Sequence, residues 1–87
     1  MPVVMLRAPL KDLAGGNREV KLDGADVRAV VRALEAEYPK TAGWVLDDRG
    51  RVRQHVNVFL NGERVREDAA VGADDTLHIL ASITGGS

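Results

Sequence analysis

The sequence predicts a two-layer α+β domain, a mixed sheet of four to five strands packed on one amphipathic helix. Three observations lead there. Residues 26–38 carry their apolar side chains at helical spacing, once and nowhere else. Several short β-branched runs alternate apolar with polar residues, and one of them ends in Asn61–Gly62. The chain has 87 residues, room for one hydrophobic core and not two.

Each element can be justified in chain order. "VVMLR" (Val3 to Arg7) is apolar and β-branched, and reads as a buried first strand. "APLKDLAGGN" supplies turn residues, Pro9, Gly15, Gly16 and Asn17, and reads as a connection. "REVKL" (Arg18 to Leu22) alternates, so Val20 and Leu22 face one way in a second strand antiparallel to the first. "DGAD" then breaks the chain. In "DVRAVVRALEAEYP", Val27, Val30, Val31, Leu34 and Tyr38 form one helical face. Asp26 is the expected N-cap, because its carboxylate can accept from the free amides of the first turn. Pro39 lacks an amide hydrogen and ends the helix, a rod of about 18 Å.

The second half is read the same way. "KTAGWVLDDRGRVRQ" is a connector, with Trp44 expected to cap the open edge of the core and a contact with a partner as the alternative. Arg49, Arg51 and Arg53 stand beside Asp47 and Asp48, and read as a solvated loop whose charges nearly cancel. In "HVNVFLNGERV", Val56, Val58 and Leu60 form a strand that turns through Asn61–Gly62 into a short fourth, Glu63 to Val65. "REDAAVGADD" is a polar loop plugged by Val71, and Asp74–Asp75 is turn chemistry. "TLHILA" (Thr76 to Ala81) is the last strand. Alternation puts Val56, Val58, Leu77 and Ile79 under the helix, and Phe59, His78 and Leu80 together on the outer face. An exposed aromatic flanked by aliphatics makes a candidate partner-binding patch, with ordinary cross-strand packing as the alternative. The order β-β-α-β-β-β with a single helix is that of a β-grasp fold. The domain is expected to span residues 1–81, with a flexible tail at 82–87.

Composition removes many functions. Net charge is −1, with 12 basic and 13 acidic residues interspersed, which argues against nucleic acid and against a polybasic membrane anchor. No apolar run reaches membrane-spanning length and the first ten residues lack the pattern of a signal peptide, so the expected location is the cytoplasm. There is no cysteine to hold a disulfide, a cluster or a thiolate metal, and His55 and His78 show no metal-ligand spacing. No metal site and no catalytic residue is expected.

The stretch "LHILASITGGS" carries the most specific signal. A last strand, a short spacer and Gly85–Gly86, together with the "VNVFLNG" strand, resemble the ubiquitin-like sulfur-carrier family over essentially the whole chain. The resemblance implies a co-substrate rather than an enzyme. An E1-like activating enzyme, using ATP and magnesium, would adenylate the carboxylate of Gly86. A sulfur donor would then convert it to a thiocarboxylate that serves a sulfur-accepting synthase. The pathway stays open among cysteine, molybdopterin, thiamine and secondary metabolites, with "HVNVFLNGERV" leaning towards cysteine. Ile83, Thr84, Gly85 and Gly86 would thread into the partner; from Ser82 to Gly86 an extended chain reaches roughly 16 Å. Glycine lets another backbone approach closely there. Ser87 departs from the pattern, because it leaves Gly86 without a free carboxylate. A peptidase that removes Ser87 would restore it; a linker remnant and a lost carrier role are the other readings. Two other uses of the fold remain, a protein modifier joined to lysines through Gly86 and an interaction module with an inert tail.

Overall fold

A computed structural model describes residues 1–81. Five strands and two helices follow in the order β1 (Val3–Leu6), α1 (Leu10–Leu13), β2 (Glu19–Lys21), α2 (Val27–Glu37), β3 (Val56–Leu60), β4 (Glu63–Val65) and β5 (Thr76–Ala81). The strands form one mixed sheet, ordered β2-β1-β5-β3-β4. β1 and β5 are parallel, although they are the first and last strands in the chain order, and every other pairing is antiparallel. This is the mixed α+β β-grasp architecture.

Register explains the core. Val20, Val4, Leu77 and Leu60 stand in one row across four strands, and Leu6, Ile79, Val58 and Val65 in the next. Those rows face Val27, Val30, Val31 and Leu34 of α2, all fully buried. The helical stripe and the strand alternation therefore bury each other, which is where most of the hydrophobic stabilisation lies.

The start of α2 is fully satisfied. Asp26 Oδ1 accepts from the Ala29 amide at 2.8 Å, as an N-cap should. The Val27 and Arg28 amides donate to the carbonyls of Ala69 and Glu67, at 3.0 and 2.9 Å. The 66–71 loop thus closes over the helix N-terminus, with Val71 buried behind it. At the other end the chain leaves the helix at Tyr38, and Pro39–Thr41 form a 3-10 turn. Thr41, the buried polar residue of the core, donates from Oγ1 to the Tyr38 carbonyl at 2.7 Å.

Two expectations are corrected. The connection after β1 contains α1, which seats Leu10 and Ala14 at zero exposure. Trp44 does not cap the core: it is 40% exposed, and Val45 and Leu46 fill that edge instead. Among the described residues no helix is long and apolar enough to cross a membrane.

Candidate functional site

The last strand is central. β5 lies between β1 and β3, and its start is tied down on both sides. The Val3 amide donates to the Asp75 carbonyl at 3.0 Å, and the Asn61 amide to the Thr76 carbonyl at 2.9 Å. The Asp75 carboxylate accepts from Asn61 Nδ2 and from the Gly72 amide, at 2.9 and 2.7 Å. Those bonds, that from Asn61 first, hold its carboxyl below the usual range. Asn61 Oδ1 in turn accepts from the Thr76 amide at 2.9 Å. The hairpin turn that the sequence announces and the Asp75 turn are therefore one hydrogen-bonded joint. Asn61 and Gly62 both have positive φ, 50° and 89°, the backbone such a two-residue turn demands.

The outer face of the sheet is not covered by α2. Glu19, Met5, His78, Phe59 and Arg64 lie in one row across all five strands. Phe59 and His78 are direct cross-strand partners, and Leu80, opposite Asn57, lies two residues further along β5 on the same face. The structure therefore brings together the three residues of the sequence-predicted patch. Phe59, His78 and Leu80 are half-buried, the partial exposure that the cross-strand-packing alternative expects. Met5 belongs to the same row. The alternation of "VVML" contained that information, since Val4 and Leu6 face the helix and Met5 must face away.

β5 ends at Ala81, opposite Val56, beside a shallow groove that Trp44 and His55 also line. Arg53 Nε donates to the Gly43 carbonyl at 2.6 Å, holding the connector against this end of the sheet. Ile83, Thr84, Gly85, Gly86 and Ser87, the residues expected to carry the tail chemistry, lie outside the described residues. Among the described residues no group of His, Asp and Glu side chains could hold a metal ion.

Comparison with known proteins agrees with this architecture. The model of the ThiS family matches residues 4–86. Small archaeal modifier protein 3 of Haloferax volcanii is 40% identical over 68 residues, which are 74% of this chain and 73% of that protein. The sulfur carrier protein CysO of Mycobacterium tuberculosis is 30% identical over 83 residues, 88% of this chain and 89% of that one. Among solved structures, the Amycolatopsis orientalis BexX/CysO complex matches with a TM-score of 0.88 at 26% identity, covering 99% of this chain and 100% of the other. With the β-grasp sheet, a central last strand and a family match that runs through both tail glycines, the chain belongs to the ThiS family.

Proposed function

We propose that this chain is a sulfur carrier that acts as a co-substrate of its partner enzymes. Removal of Ser87 frees the Gly86 carboxylate. An E1-like enzyme, holding ATP and magnesium, transfers AMP to that carboxylate and releases pyrophosphate. A sulfur donor displaces AMP, leaving a C-terminal thiocarboxylate, which passes its sulfur to an electrophilic precursor in an acceptor synthase. The chain supplies no catalytic side chain. Ile83 to Gly86 thread into each partner, while Phe59, His78 and Leu80 form the docking face. Because activation consumes ATP, the proposed location is the cytoplasm.

The observation that carries this reading is the family match from residue 4 to residue 86, which includes Gly85 and Gly86. The position of β5 supports it: the strand that precedes the tail is paired with β1 as far as Ile79 and with β3 as far as Ala81. A relative named as a sulfur carrier and a CysO found in a complex with BexX support a carrier with docking partners. A second reading, conjugation to lysines through Gly86, is favoured by the relative named a modifier protein.

Intact mass of the untagged protein from its native host separates the two. A chain ending at Gly86, with one oxygen replaced by sulfur in part of the population, is the expected result. Retention of Ser87 throughout would count against the carrier. Adducts joined to lysines of other proteins, with no thiocarboxylate, would establish the modifier instead.

A further inference from the structure

The sequence scatters arginines over the connector and the fourth strand; the fold gathers them. Residues 46–52 form a tight loop closed by the Leu46–Val52 bridge and by the Asp47 amide donating to the Arg51 carbonyl at 2.8 Å. The Asp47 carboxylate folds back onto that loop, accepting the Arg49 and Arg51 amides at 2.9 and 3.0 Å. Glu67 Oε1 accepts from the Val52 amide at 2.8 Å, which ties the loop to the chain just beyond β4. A cleft remains between the loop and β4, and its two walls are fixed to each other by that bond.

Arg51, Arg53, Arg64 and Arg66 line this cleft, all exposed. Asp47 is the carboxylate among the lining residues, and Glu67 lies 3.6 Å from Arg66. Glu63 stands on β4 itself, but it does not line the cleft. Among the described residues Arg51, Arg53 and Arg64 make no ion pair. The apolar part of the lining is aliphatic: Val56 is buried, Val52 and Val65 half-buried. Among the described residues β4 is the last strand of the sheet, and its outer edge has no strand partner.

We propose that this cleft docks an extended, acidic segment of a partner protein whose carboxylates alternate with aliphatic side chains. Guanidinium groups take carboxylates in two-point contacts, and a cleft with fixed walls loses little freedom on binding. The valines receive the aliphatic side chains between them, and the free strand edge suits an extended backbone. A nucleic acid fits less well. Among the described residues no aromatic lines the cleft to stack on bases, and a chain of net charge −1 has no overall basic excess to hold a long polyanion. The proposal does not depend on the chemistry of the tail.

The test is a titration of the isotope-labelled full chain with a short acetylated peptide of alternating Glu and Leu, followed by amide NMR. Amides of Val52, Arg53, Arg64, Val65 and Arg66 are expected to shift, and added salt should weaken binding. The double variant Arg51→Glu/Arg64→Glu should lose at least about tenfold in affinity. Its Tm should stay within about 3 °C, since both side chains are exposed. Absence of shifts in the cleft overturns the proposal. So does equal binding of a Glu–Ser peptide, which would mean charge alone, or tighter binding of a short oligothymidylate, which would mean a nucleic-acid surface.

Discussion

Gly24 shows how much can hang on one missing methyl group. A Cβ there would stand 2.5 Å from the Val30 amide nitrogen and 2.7 Å from Val30 Cγ2. Backbone cannot yield as a flexible side chain can, so Gly24→Ala should push α2 off its seat. The expected cost is about 1–3 kcal/mol, read as a Tm lowered by roughly 5–20 °C in a thermal melt. In the sequence Gly24 is only part of a break, "DGAD", because its closest contact is with a helix that has not yet begun. Asn61 is the opposite case. Its pairing with Gly62 signals the turn by itself, since few residues accept positive φ. What the dipeptide conceals is that the Asn61 side chain also holds Asp75 and the Thr76 amide.

At the scale of elements, α2 and the strands follow from their periodicities, and α1 does not. Five residues between Pro9 and two glycines present too little pattern for a helix, although Leu10 and Ala14 fall one turn apart and both are buried. The outer row of the sheet is the element-level feature with a consequence for binding. Phe59 stands opposite His78 and Arg64 in the register and is not among the core residues. Phe59→Asp is therefore expected to weaken binding to the proposed activating enzyme by more than about tenfold, read by calorimetry. The same substitution should lower Tm less than Leu77→Ala, which empties a fully buried site at about 2–5 kcal/mol. If Phe59→Asp unfolds the domain, the outer face is structural and not a docking surface.

For the whole molecule, three carboxylates act where loops meet: Asp47, Glu67 and Asp75. Each is held below the ordinary carboxylate range, chiefly by the Arg51 amide, the Val52 amide and the Asn61 side chain respectively. The unfolded chain therefore takes up protons at a higher pH than the native one, and stability falls as pH drops through that interval. All three contributions are complete above the unfolded values and are lost progressively below about pH 5. Thermal melts should show Tm declining from about pH 5 towards pH 3. In Asp75→Asn that decline should be shallower, because one of the three groups no longer titrates. An unchanged slope would mean that the Asp75–Asn61 joint does not contribute to folding.

Read alone, the sequence determined the strands, the main helix, which face of each is apolar, and the family, through its last strand and diglycine. Those properties are carried by residues within a few positions of one another, and periodicity reports them directly. Tertiary structure decided what depends on residues far apart in the chain. It set β1 beside β5 in parallel, and it closed the start of α2 with carbonyls from the 66–71 loop. It also left Trp44 outside while Val45 and Leu46 went in, since a connector without periodicity does not declare its buried side. The arginines make the same point. Beside Asp47 and Asp48 in the chain they look neutralised, yet the fold folds Asp47 onto its own loop and brings in Arg64 of β4 and Arg66 just beyond it. Charge balance along a chain is a local sum, whereas the field in a cleft is set by whichever walls the sheet brings together.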